Sequence, residues 1–158
     1  MILTDESIRR IKEKAALYPQ RKSAILPALT IAYRQVGHLN SDLYREISKI
    51  IHIPTLEIAE AATFYTMFPK KPVGKYLIQV CHNISCALLG ADSLICYLEE
   101  KLGVTKGETT SDGLFTIVGV ECLGSCATAP MMQINQDYYE NLTREKVDRI
   151  LEELRAKA

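Results

Sequence analysis

Four of the chain's five cysteines fall as two short-spaced pairs, Cys81 with Cys86 (C-x4-C) and Cys122 with Cys126 (C-x3-C). Thiolates are soft donors, and four of them gathered at one corner would hold a metal in a tetrahedral sulfur environment, which suits zinc or an iron–sulfur cluster. The spacing leaves both open. Structural zinc sites accept about two to four residues between paired cysteines, and the pattern matches neither the plant-type nor the bacterial ferredoxin run. Context leans toward iron and sulfide. The second loop, from Leu123 to Pro130, is almost entirely small residues, so its backbone N–H groups can approach bridging sulfides and donate to them. The first loop, His82-Asn83-Ile84-Ser85, is neutral and holds one apolar residue, as a partly shielded cluster would need. A thiol–disulfide oxidoreductase fits less well, because it wants a C-x-x-C pair at a helix N-terminus to depress one thiol pKa. Here the first pair has four intervening residues.

The remaining reactive residues have plainer readings. Cys96 lies between Ile95 and Tyr97 in an apolar helical pattern and is expected to be a small core residue, not a ligand. His82 follows Cys81 directly but is expected beside the site or at the surface, since the four cysteines suffice. His38 and His52 are expected in solvent near helix ends. The run Phe64-Tyr65-Thr66-Met67-Phe68 reads as core by default, with a partner surface as the other option. The Ala129–Pro130 bond is open to the cis isomer, as a proline just before a strand, although base rates favour trans; Pro130 is expected to start a strand and shape the cysteine loop.

Elements must position these groups, and the apolar period predicts two kinds. Residues 1–68 show only the helical period. A first helix, capped by Thr4, carries Ile8, Ile11 and Ala15 and stops before Tyr18-Pro19. A second spans about 23–37, with Pro27 tolerated near its start and Gly37 at its end. A third opens at Asn40 or Ser41 and carries Leu43, Ile47 and Ile50. A fourth is expected to be capped by Thr55, with Ile58, Ala61, Ala62 and Tyr65 inward. Two prolines and a glycine in Pro69-Lys70-Lys71-Pro72-Val73-Gly74 break the pattern. Beyond it the spacing predicts a strand at 75–80, one helix over 88–102, strands at 114–120, 131–135 and 138–139, and a last helix capped by Thr143. The fold class expected is α+β. An antiparallel helical bundle (1–68) and a linker (69–74) precede a thioredoxin-like domain (75–158), with a mixed four-stranded sheet and two helices on one face. If the strands from 75 and 114 run parallel, both cysteine loops leave the same edge of the sheet.

Composition narrows the function classes. The 158 residues carry 19 basic and 19 acidic side chains, so the basic footprint of a nucleic-acid or anionic-membrane binder is missing. Five cysteines in this length are too few for a secreted disulfide scaffold, and their number is odd. The acidic start Thr4-Asp5-Glu6 is unlike a signal or transit peptide, and no apolar run approaches the roughly 20 residues of a membrane span.

The segments Val80-Cys81-His82-Asn83-Ile84-Ser85-Cys86 and Val120-Glu121-Cys122-Leu123-Gly124-Ser125-Cys126-Ala127-Thr128-Ala129-Pro130-Met131 resemble the signatures of one family. It is the thioredoxin-like 2Fe-2S subunit family of NADH:quinone oxidoreductase, respiratory complex I. The resemblance extends over almost the whole chain, including Ala62-Thr63-Phe64-Tyr65-Thr66-Met67-Phe68, the segment from Gly107 to Thr116, and that from Gln133 to Thr143. It implies one 2Fe-2S cluster on Cys81, Cys86, Cys122 and Cys126, which serve as its metal ligands, and no catalytic residue on this chain. It further implies docking against a flavoprotein subunit that holds FMN and oxidises NADH. The cluster would exchange single electrons with that flavin, off the main relay to quinone. Related proteins serve NAD-linked hydrogenases and formate dehydrogenases. The expected location is cytoplasmic and bacterial, peripheral to the inner membrane through the parent complex without direct membrane contact, with a homodimer possible for the isolated chain. A zinc-stapled interaction module is the reading from a different class.

Overall fold

Thr4 turns the chain into its first helix: its hydroxyl oxygen accepts from the Ser7 N–H at 3.2 Å, and α1 runs Asp5–Ala16. The computed structural model describes residues 1–158, which divide into two compact units, Met1–Pro72 and Val73–Ala158. In the first unit a 3-10 turn, Arg21–Ala24, precedes α2, Ile25–Val36. Pro27 thus falls in the first helical turn, where its missing N–H has no partner to lose. Asn40 caps α3 (Ser41–Ile51), accepting from the Asp42 and Leu43 N–H groups at 3.1 Å each. The fourth helix, α4, spans Thr55–Phe64 and departs from the expected start. Pro54, with its fixed φ of −53°, takes the boundary position and Thr55 is already helical, so Thr55 makes no cap. Leu29, Leu43, Ile47, Ile58 and Phe68 close the core of this unit.

The aromatic run is split rather than buried as a block. Phe68 is 1% exposed and meets Tyr33 edge-on, whereas Phe64 is 78% and Met67 54% exposed. Tyr65 is exposed too, not inward. The chain leaves the helix at Phe64 and Tyr65 is extended (φ −87°, ψ 115°), so the helical period stops governing which way side chains point.

The second unit is built on a four-stranded mixed sheet of order β2-β1-β3-β4, with β1 Tyr76–Cys81, β2 Phe115–Val120, β3 Met132–Ile134 and β4 Asp137–Tyr139. β1 and β2 are parallel, while β3 is antiparallel to both β1 and β4. Ile78, Val80, Phe115, Ile117, Met132 and Ile134 form one face and share a core with Leu94, Ile95 and Leu98 of α6 (Ala91–Leu102) and Val147, Ile150 and Leu151 of α7 (Arg144–Ala156). Strand β1 is entered through Gly74, where a Cβ would lie 2.8 Å from the Leu114 carbonyl carbon and oxygen.

Three expectations for this unit need correction. The helix predicted over 88–102 begins three residues later, as α6, and a short helix that was not expected, α5 (Ile84–Leu88), precedes it in the stretch read as the first cysteine loop, giving this unit three helices, not two. Gly90 separates α5 from α6 at φ 94°, a left-handed conformation that an L side chain resists. Cys96 is exposed, not core: the buried face of α6 is set by Ala91, Leu94, Ile95 and Leu98, and Cys96 turns away from it. The Ala129–Pro130 bond is cis, the trans preference of X–Pro bonds being small enough for local context to decide.

Candidate metal centre

The cysteines are placed by strand ends. Cys81 closes β1, Val120 closes β2, and the two are register partners in the parallel pair. The loops that follow therefore leave the sheet at the same edge, held together where the His82 N–H donates to the Val120 carbonyl at 3.0 Å and the Cys81 N–H to the Met131 carbonyl at 3.2 Å. Asn83 caps α5 through a 2.7 Å bond from the Ile84 N–H, and the single turn returns Cys86 to the side of Cys81. Both are buried, 3% and 2% exposed, and pack with Ala91 and Met131, with Leu123 and Ala129 alongside. Burial pushes the Cys86 thiol up, as do its hydrogen bond with Cys81 and the charges of Cys81 and Cys126, against a backbone hydrogen bond with Met131. Two thiolates so placed repel each other, and a bound cation would offset that repulsion.

The second pair differs. Cys122 and Cys126 are exposed, in the loop after β2. The Gly124 N–H points at Cys122 Sγ, 3.4 Å away, the backbone-to-sulfur contact that small loop residues permit. Cys126 opens a 3-10 turn, Cys126–Thr128. His82 is half-buried with its ring against Gly119, where a Cβ would come within 2.9 Å of His82 Cδ2; it sits beside the cysteines.

Not all four sulfurs meet. No three Cys, His, Asp or Glu side chains close around one point as a single metal ion requires. Cys81 and Cys86 are side by side, and Cys122 and Cys126 stand in the exposed loop. A tetrahedral zinc site wants four donors about one ion, whereas a two-iron cluster takes its thiolates as a pair on each iron. A buried pair and an exposed pair of soft donors suit the second demand better.

Sequence reasoning missed the groups that hold the exposed loop. Tyr138 and Glu140, at and just beyond β4, bind Leu123, Ser125 and Thr128. Ser125 and Thr128 are spaced as turn hydroxyls, but nothing local signals a carboxylate partner 12 residues beyond Thr128.

Known proteins share both the sequence and this architecture. A family model for thioredoxin-like [2Fe-2S] ferredoxins matches residues 11–155. The chain is 47% identical over 146 residues to the second E-type subunit of NADH-quinone oxidoreductase from Rhizobium meliloti (strain 1021), covering 92% of this chain and 87% of the relative. It is 46% identical over 136 residues to the E-type subunit of NADH-quinone oxidoreductase from Rickettsia bellii (strain RML369-C), covering 85% and 81%. Among solved structures, an NAD+-reducing [NiFe]-hydrogenase in the air-oxidized state superposes with a TM-score of 0.74 at 26% identity. That match covers 87% of this chain but only 24% of the hydrogenase chain.

Proposed function

The chain belongs to the thioredoxin-like [2Fe-2S] ferredoxin family, and on that premise we propose that it is the E-type electron-transfer subunit of NADH-quinone oxidoreductase, with one 2Fe-2S cluster held by Cys81, Cys86, Cys122 and Cys126. The observation that carries the reading is the parallel register of Cys81 with Val120, which sends both cysteine loops out at one edge of the sheet. When bound, the cluster supplies a site that takes up and returns one electron without making or breaking a substrate bond. Cys81 and Cys86 would hold it from the buried side, and Cys122 and Cys126 from the exposed side. Anchoring on strand ends limits loop movement, as an electron carrier with little reorganisation between redox states needs. The Gly124 N–H spreads the negative charge that collects on Cys122.

FMN and NADH are assigned to a flavoprotein partner, which exchanges single electrons with this chain off the main relay to quinone. Exposed apolar side chains support a covered surface: Leu56, Phe64 and Met67 in the first unit, and Ile84, Leu88 and Leu89 around α5 in the second. Much of the contact is assigned to the N-terminal helices, and a chain stripped of its partner would favour a homodimer. No helix is long and apolar enough to cross a membrane; in this reading the chain meets the bacterial inner membrane only through its parent complex, on the cytoplasmic side.

Full-length protein purified anaerobically tests the cofactor: a red-brown solution with about two iron and two sulfide per chain is expected. A colourless protein with stoichiometric zinc overturns the reading in favour of a zinc-stapled module. The hydrogenase superposition favours one second reading, the corresponding subunit of an NAD-linked hydrogenase or formate dehydrogenase. Co-purification decides it, since the flavoprotein would then arrive with that enzyme instead of the quinone-reducing complex.

A further inference from the structure

The two cysteine pairs are held in different ways. Cys81 and Cys86 are fixed by a strand end and by burial, whereas Cys122 and Cys126 are exposed. Their loop is tied down by the segment from Tyr138 to Leu142. Tyr138 Oη donates to the Leu123 carbonyl at 2.8 Å, the Asn141 N–H to the Thr128 carbonyl at 2.7 Å and the Leu142 N–H to the Pro130 carbonyl at 3.0 Å. At the centre of this strap Glu140 Oε1 accepts from both the Ser125 hydroxyl and, at 2.7 Å, the Thr128 hydroxyl. These two hydroxyls lie 2.8 Å apart and flank Cys126 in the chain. Lys146 Nζ donates to the Glu140 carbonyl at 2.5 Å and secures the strap from α7.

We propose that Glu140 is a positioning residue for the exposed half of the cluster site, gathering the Ser125 and Thr128 hydroxyls so that Cys126 is presented in one orientation. The inference rests on the two-iron reading above. Its physical content is twofold. A loop of small residues has many conformations available, and two hydroxyls converging on one carboxylate oxygen remove most of them. A hydroxyl hydrogen committed to Glu140 is also unavailable to the neighbouring sulfurs. Hydrogen bonds to cluster sulfurs stabilise the more negative, reduced state and raise the potential. The carboxylate therefore keeps the potential low by withholding those donors. The same contacts hold the Glu140 carboxyl below its ordinary range, the Ser125 hydrogen bond first and that of Thr128 next.

The test uses the full chain. Glu140→Gln keeps the side-chain shape and removes the charge. The visible spectrum of the wild type comes first, since a colourless wild type overturns the two-iron reading itself. With that spectrum present, Glu140→Gln is expected to retain the cluster, shift its midpoint potential upward and speed amide hydrogen exchange in residues 123–128. Glu140→Asp should recover part of both changes. In a Ser125→Ala, Thr128→Val background, Glu140→Gln should lose most of its effect on the potential. A full-sized shift in that background would show that the charge acts through space and would overturn the positioning role. So would wild-type potential and wild-type exchange in Glu140→Gln. A purely structural role would lower the melting temperature and leave the potential where it was, which also counts against the proposal.

Discussion

The cysteines at the corner of the sheet share a chemistry but not an environment. Cys81 and Cys86 are withdrawn from water, while Cys122 and Cys126 meet it, so removal of a ligand should read out differently from each pair. Cys122→Ala leaves the fold intact, because its side chain packs into no core, and is expected to lose or alter the visible spectrum. Cys96→Ala, on the outward side of α6, is expected to keep both spectrum and iron content. Parallel absorption spectra and iron assays check the pair, and equal loss from both would remove the ligand assignment. Residue types and spacing made the four thiols legible as a metal-type donor set, because ligand chemistry is carried by the side chain itself. Burial was less legible. Cys96 and Phe64 sit in apolar stretches of sequence yet face outward, because which face a helix buries is decided by what packs against it, and where a helix ends decides whether its period applies.

At the scale of elements, the positions of caps and strands carried most of the reading. Thr4, Asn40 and Thr143 each bond an N–H of the first turn, an interaction local enough to be seen in a few residues. The short helix α5 was not read from the cysteine loop, and the predicted helix ran over the stop at Gly90, because an isolated glycine within an apolar helical pattern is compatible with a continuous helix. The break matters to the site: it allows a single turn to carry Cys86 back toward Cys81 before α6 sets off along the sheet. Gly90 has φ 94° and open space around it, so an added methyl group meets no neighbour and pays only the backbone penalty. Gly90→Ala is therefore expected to destabilise by about 1–2 kcal/mol, measured by urea unfolding, with the cluster spectrum retained in the folded protein. An unchanged midpoint would mean that the chain relaxes out of the left-handed conformation.

For the whole molecule, electrostatics and surface set the expectations. Asp112, Glu140 and Asp148 are each held below the ordinary carboxylate range: Asp112 by Thr110 first, Glu140 by Ser125 first and Asp148 by Tyr97 first. A carboxylate depressed in the folded state contributes stability that is present above its unfolded pKa, about 4, and lost as pH falls through the folded value. The melting temperature should accordingly drop on acidification below about pH 4. Asp148→Asn, which keeps an oxygen for Tyr97 but removes the charge that strengthens that bond and pairs with Lys101, should start lower at neutral pH and lose less in acid; parallel slopes would refute its part in the linkage. At the surface, Leu56→Ser with Phe64→Ser is expected to leave helical content and cluster spectrum unchanged while weakening flavoprotein retention in a pull-down about tenfold or more. Unaltered retention would move the partner's footprint off α4. The sequence by itself determined the α+β class, the mixed sheet and the presence of a soft donor set, because periodicity, capping and ligand type are properties of a few neighbouring residues. Tertiary structure alone decided that the first cysteine pair is buried and the second exposed. It also decided that Phe64 faces water and that Glu140, well beyond Cys126 in the chain, ties down the loop carrying it. Those outcomes depend on contacts between segments, and only strand register and helix packing fix which distant segments meet.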